Sequence, residues 1–107
     1  EANKTKYYNN NVLKTKKFIN TCKKQGVENF IFLSSSNVYK ELNKNYYEND
    51  PVQPKNFYGK NKIEIEKFLK KKKFNSLIIL RLFNVIGLSK KFYIFRFLKK
   101  WLPENIF

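Results

Sequence analysis

No histidine occurs in this chain of 107 residues, and its only cysteine is Cys22. Those shortages exclude a disulfide framework and a His/Cys metal centre. Cys22 falls mid-helix on an apolar face, where a buried, inert thiol is expected. A reducing, cytoplasmic compartment fits such a chain. No stretch approaches the roughly 20 apolar residues that a bilayer-crossing helix needs, so no membrane partner is expected. Glycine is nearly as scarce: Gly26, Gly59 and Gly87 stand too far apart to form a Gly-x-Gly-x-x-Gly phosphate loop. Acidic residues number 8 against 23 basic ones, a net charge of +15. A nucleic-acid partner is nevertheless not expected. The basic residues are 21 lysines and only 2 arginines, accompanied by abundant Asn, Ile, Phe and Tyr. All those types share A/T-rich codons, so genome composition accounts for the charge. The arginine forks and clustered aromatics that read bases are missing. The run Lys70–Lys73 suits a helix C-terminus, where cations complement the macrodipole.

What is present argues for a folded α/β unit. Hydrophobic residues make up 42% and aromatics 18%, too much for a disordered chain, and 107 residues make one domain at most. From about Asn10 to Gln25, Val12, Leu13, Phe18, Ile19 and Cys22 recur near helical spacing, and Gly26 stands where a helix ends. Val27 to Leu33 reads as a strand, apolar on consecutive positions and hence buried on both faces of a parallel sheet. A long loop over 35–56 carries Glu48, Asp50, Pro51 and Pro54. A helix from about Phe57 to Lys72 follows, burying some combination of Ile63, Ile65, Phe68 and Leu69, then a strand over 76–82. A third helix is expected from Lys91 to Leu102, stopped by Pro103. Helices alternating with strands in this way mean a sheet with parallel strands.

The polar residues at the element ends carry the chemistry. Ser34, Ser35 and Ser36 follow the apolar run of the first strand. Tyr58 and Lys62, four residues apart, share one face of a helix turn. By itself the pair means little, because about a fifth of the chain is lysine and seven tyrosines yield one chance Tyr-x-x-x-Lys. Its setting lifts it: Pro51 and Pro54 before, Gly59 inside, and the serines upstream at a strand end.

The segments YYNNNV, GVENFIF, SSSNVY, a Glu/Asp-Pro loop, FYGKNK with IEIEKF, and LRLFNVIG occur in that order. Together they resemble the extended short-chain dehydrogenase/reductase family, on its branch of NAD-dependent epimerases and dehydratases of the UDP-glucose 4-epimerase type. The likeness is firmest from Tyr7 to Gly87. It implies a partial Rossmann-type, doubly wound parallel sheet, the C-terminal half of a cofactor domain over residues 1–90. Residues 91–107 would then begin a substrate region. It further implies Ser35, Tyr58 and Lys62 as catalytic, and Asn10, Ser34, Tyr58, Lys62 and Phe83 as cofactor contacts. Ser35, Ser36, Tyr58 and Asn84 would meet the substrate, a nucleotide-sugar. NAD is the implied cofactor, with NADP open, and the intact enzyme is expected to be a homodimer through the helices flanking the serine strand. The family's glycine fingerprint and its acidic ribose ligand have no counterpart, so the chain is expected to be a partial sequence. The implied reaction is epimerisation through a transient ketone. A dehydratase or keto-reductase of the same family, or a non-catalytic remnant, are the alternatives.

Such chemistry needs these residue types. Oxidising a sugar hydroxyl requires a base for its proton while hydride departs to a nicotinamide. A tyrosine serves only if its pKa falls from about 10 toward neutrality, a shift of about 3 units or ~4 kcal/mol. One ammonium at ~5 Å in an effective dielectric of ~20 supplies roughly 3 kcal/mol. The positive nicotinamide ring would supply the remainder. The serine would orient the hydroxyl and relay its proton.

Overall fold

A computed structural model describes residues 2–41 and 44–85. The helix expected from Lys91, the turn at Gly87 and the substrate region over 91–107 lie outside the described residues.

The first helical stretch is longer than its apolar spacing predicts. Helix α1 (Ala2–Tyr8) passes into a π turn (Asn9–Leu13) and then into α2 (Lys14–Lys24). Tyr8, Leu13 and Lys14 all keep right-handed helical dihedrals, so the path is one continuous helix with a wide turn inside it. A π turn adds a residue and rotates everything after it relative to a 3.6-residue count. Val12 and Ile19, seven residues apart, are fully buried, whereas Leu13 and Phe18, expected on the same face, are exposed. Cys22 is half-buried. At the far end Gly26 adopts φ +79°, a conformation that favours glycine. The Gly26 amide donates to the Lys23 carbonyl at 3.2 Å and the Val27 amide to that of Cys22 at 3.0 Å, which closes a Schellman turn.

That closure also moves the strand. Strand β1 is Asn29–Ser35 rather than 27–33, because the Val27 amide is already committed to the helix end. Strand β2, Ser76–Leu82, lies parallel to it in a two-stranded sheet, from Asn29 opposite Ser76 to Ser35 opposite Leu82. Ser34 and Ser35 are therefore inside the ladder, opposite Arg81 and Leu82. Parallel strands need a long crossover. Helix α3 (Phe57–Lys70) lies within it.

Both helical layers cover the same side of the sheet. Val12, Ile19, Ile65 and Leu69 form the core, with Phe30, Phe32, Leu77, Phe68 and Phe74 packed against it. Strand side chains alternate between faces. Ile31 and Leu33 on the opposite face are 62% and 55% exposed, and Ile78 and Leu80 are exposed beside them. The expectation of burial on both faces is thus corrected for the described residues. A smaller cluster of Val38, Tyr39 and Ile63, with Tyr46 and Val52, fastens the long loop to α3. Among the described residues no helix is long and apolar enough to cross a membrane.

Candidate active site

Helix α3 starts where the serine strand ends. Asn56 has extended dihedrals and caps the helix, its Oδ1 accepting from the Gly59 amide at 2.7 Å. Its Nδ2 donates to Asn37 Oδ1 at 2.9 Å. Asn37, in the 3-10 turn Ser36–Val38, donates to Ser35 Oγ from its backbone at 3.2 Å and from Nδ2 at 3.1 Å. A continuous relay thus joins Ser35 to the helix turn that carries Tyr58. Two donors on Ser35 Oγ occupy its acceptor sites and leave its own proton available to a ligand. Asn56→Ala removes both the cap and the link, so a loss of about 1–2 kcal/mol is expected. Denaturant unfolding of the variant beside the wild type measures it, and an unchanged midpoint would dismiss the cap.

Tyr58 and Lys62 follow on one stripe of α3. The Lys62 Nζ donates to the Leu33 carbonyl at 2.9 Å, two residues before Ser35. It lies 5.0 Å from the Phe32 ring centroid and 5.6 Å from that of Tyr58. Burial pushes the Lys62 pKa down, and the nearby Glu66 carboxylate partly restores it. Tyr58 is 40% exposed, so its cation–π contact is partly screened by solvent. Both residues open on a cleft of about 200 Å³ that Tyr7, Asn11, Thr15 and Asn61 also line. Burial, and then the neighbouring Tyr58, raise the pKa of Tyr7. Asn61 is buried, and its Nδ2 has no hydrogen-bond partner within the described residues.

The other expected site residues are placed variously. Ser35 does not line that cleft and meets α3 through the asparagine relay. Ser34 faces the helices instead, donating to Glu66 Oε1 at 2.6 Å. Ser36 is buried at the start of the 3-10 turn. Asn10 is exposed and outside the cleft, while Asn11 lines it and donates from Nδ2 to the Tyr7 carbonyl at 3.0 Å. Phe83 and Asn84 are exposed just beyond β2. Phe83 borders a second hollow of about 440 Å³ with Tyr39, Tyr46 and Arg81.

Three residues here carry no role assigned from the sequence: Asn11, Glu66 and Arg81. Three consecutive asparagines offer no local reason to prefer Asn11, which borders the cleft only once the helix has packed against α3. Glu66 and Arg81 did leave a signal. Glu66 continues the four-residue spacing of Tyr58 and Lys62, and Arg81 is a rare arginine within an apolar strand.

Comparison with known proteins adds two findings. The family described as NAD dependent epimerase/dehydratase matches residues 1–102. The N-acetyl-alpha-D-glucosaminyl-diphospho-ditrans,octacis-undecaprenol 4-epimerase of Escherichia coli O157:H7 is 42% identical over 64 residues, which is 60% of this chain. The match spans only 19% of that relative's length. No solved structure matches the chain.

Proposed function

Since this chain belongs to the NAD dependent epimerase/dehydratase family, we propose that it carries the proton-transfer residues of an epimerase acting on a diphosphate-linked sugar. One observation carries the reading most of the way. Lys62 is pinned to the strand beside the serines while its ammonium faces the Tyr58 ring across one helix turn. That is the arrangement a tyrosine base needs: a fixed cation beside it and an open cleft before it.

Tyr58 takes the proton of the sugar hydroxyl, and Ser35, its own acceptor sites filled by Asn37, donates to the sugar oxygen and orients it. Lys62 stabilises the charge that develops on the tyrosine oxygen. The donor set fits the ribose end of a dinucleotide. Lys62 offers donors, and the buried Asn61 Nδ2 lacks an acceptor that a ribose hydroxyl could supply. Tyr58, Lys62 and Asn11 would hold that end, with Asn11 in the place expected of Asn10. When bound, NAD supplies reversible acceptance of hydride. Ser34 and Phe83 as cofactor contacts, Ser36 and Asn84 as substrate contacts, and continuation of the sheet into a doubly wound Rossmann domain belong to the same proposal.

Epimerisation is favoured over dehydration by the two residues after Ser35. By the family resemblance, dehydratases place an Asp-Glu pair where this chain has Ser36 and Asn37. Neither side chain is a strong acid or base near neutrality. Asn37 is moreover committed to Ser35 and Asn56. A ketone on the sugar would then find no acid or base here to assist loss of water, which leaves epimerisation as the open course.

Full-length enzyme supplied with NAD and a UDP-hexose is expected to interconvert epimers with no net cofactor consumption. A 4-keto-6-deoxy sugar in the mass spectrum would establish the dehydratase alternative instead. The 42% identity to the Escherichia coli relative favours a second carrier, a polyprenyl diphosphate in place of the nucleotide. Undecaprenyl-diphosphate-linked N-acetylglucosamine, assayed beside its UDP-linked counterpart, decides between the two.

A further inference from the structure

Beside the cleft lies a charged pair, Glu66 buried and Arg81 part-buried, that the proton-transfer chemistry does not use. Glu66 stands one turn beyond Lys62 and two beyond Tyr58, on the same stripe of α3. Its carboxylate is almost wholly buried and receives Ser34 Oγ at 2.6 Å, Arg81 Nε at 3.2 Å and Arg81 Nη2 at 2.8 Å. Arg81, opposite Ser34 in the sheet, donates its remaining nitrogen to Tyr39 Oη at 3.0 Å and to the Glu48 carbonyl at 3.1 Å. Its hydrogen bond to Glu66, working against burial, keeps the guanidinium firmly charged. A carboxylate so satisfied has one rotamer and one place.

The geometry has a mechanical consequence. Lys62 grips the Leu33 carbonyl and Glu66 grips the Ser34 hydroxyl, so successive turns of α3 are tied to successive residues of β1. The next strand residue is Ser35. Any slide of the helix along the strand breaks both ties together. The asparagine relay fixes the helix start, and the Glu66 tie fixes its height two turns further on.

We propose that Glu66 and Arg81 are a positioning pair that sets the register of the helix bearing Tyr58 and Lys62 against the strand end bearing Ser35. Neither lines the cleft of Tyr58 and Lys62. Glu66 acts through Lys62 and Ser34, and Arg81 acts by holding Glu66. The inference rests on the proton-transfer role of Tyr58 and Lys62.

The pair also shapes the charge around Lys62. The groups that face this ammonium are the Phe32 ring and Leu33 carbonyl of β1, the Tyr58 ring and Glu66 of α3, and Tyr7 across the cleft, with Arg81 behind Glu66. Glu66 is the negative charge that offsets the burial of Lys62. Without it the lysine loses its proton at lower pH. Activity that requires the charged lysine, present below the Lys62 pKa and lost above it, then fails at lower pH as well.

Two full-length variants test this, E66Q and the neutral pair E66Q/R81M. Replacing both charges leaves none unpaired, so the double variant folds even where the single one does not. In the folded variants kcat is expected to drop by about 10- to 100-fold. KM for the sugar should move less than about threefold, because its contacts are untouched. In E66Q the alkaline limb of the kcat profile shifts to lower pH, which a purely structural role would leave in place. An unchanged kcat, an unmoved alkaline limb in folded E66Q, or failure of both variants to fold overturns the assignment. The last outcome would make the pair a folding element. NMR titration of the Lys62 side chain needs no substrate and keeps the two readings separable. If the wild type turns over none of the sugars, a lower Lys62 midpoint in E66Q still supports the pair, and an unchanged midpoint overturns it.

Discussion

Tyr58→Phe in the full-length enzyme is expected to cut kcat by at least about 100-fold and up to about 10⁴-fold, the usual range for a lost general base. Sugar binding should hardly change. The phenyl ring keeps its place on the cleft wall, and Lys62 keeps an aromatic face 5.6 Å from its ammonium. Only the oxygen proposed to receive the proton is gone. Absorbance of the reduced nicotinamide in a single turnover reads the chemical step directly, and equilibrium titration of the sugar reads binding. A variant retaining more than about a tenth of wild-type turnover would move the base elsewhere. Tyr7, which lines the same cleft, would then be the first residue to test.

Gly59→Ala should be comparably damaging, for a different reason. Alanine in a helix ordinarily gains about 0.5–1 kcal/mol over glycine. Here a Cβ would stand 2.1 Å from the Asn37 carbonyl oxygen and 2.9 Å from Pro54 Cβ. The first of these is a backbone atom held in a 3-10 turn, so it cannot simply rotate aside. Overpacking of this kind costs about 3 kcal/mol or more, which outweighs the helix preference severalfold. To make room, the start of α3 must lift from Asn37, and the Asn56–Asn37–Ser35 relay opens with it. Stability and turnover are therefore expected to fall together. Denaturant unfolding and kcat, measured on one preparation, check this. A variant as stable as the wild type would mean that the turn yields.

The two substitutions differ in how far the sequence alone foretells them. Tyr58 stands four residues before Lys62, and a helix turn brings such residues together whatever the rest of the chain does. The cap at Gly26 was readable for the same reason, since a left-handed residue at a helix end depends only on its neighbours. So was the alternation of helix and strand that calls for a parallel pair, now seen as β1 and β2. The crowding at Gly59 was not readable, because its partner Asn37 lies in another element.

Local spacing, end signals and the order of elements were thus determined by the amino-acid sequence itself, since each is settled within a turn or a few residues. Tertiary structure decided the rest. Packing of the first helical stretch against its neighbours decided that Val12 and Ile19 are buried while Leu13 and Phe18 are exposed, and that Asn11 rather than Asn10 borders the cleft. The Val27 amide, taken by the helix end, delayed the strand's start to Asn29, and pairing with Arg81 and Leu82 carried it through Ser34 and Ser35. Packing of both helical layers on one sheet face left Ile31 and Leu33 exposed, although an apolar run reads the same whether one face or two are covered. The bonds joining Ser34, Glu66 and Arg81 link residues 15 and 32 positions apart. No periodicity reports such contacts, because they exist only once the strands have paired and the helix has settled between them.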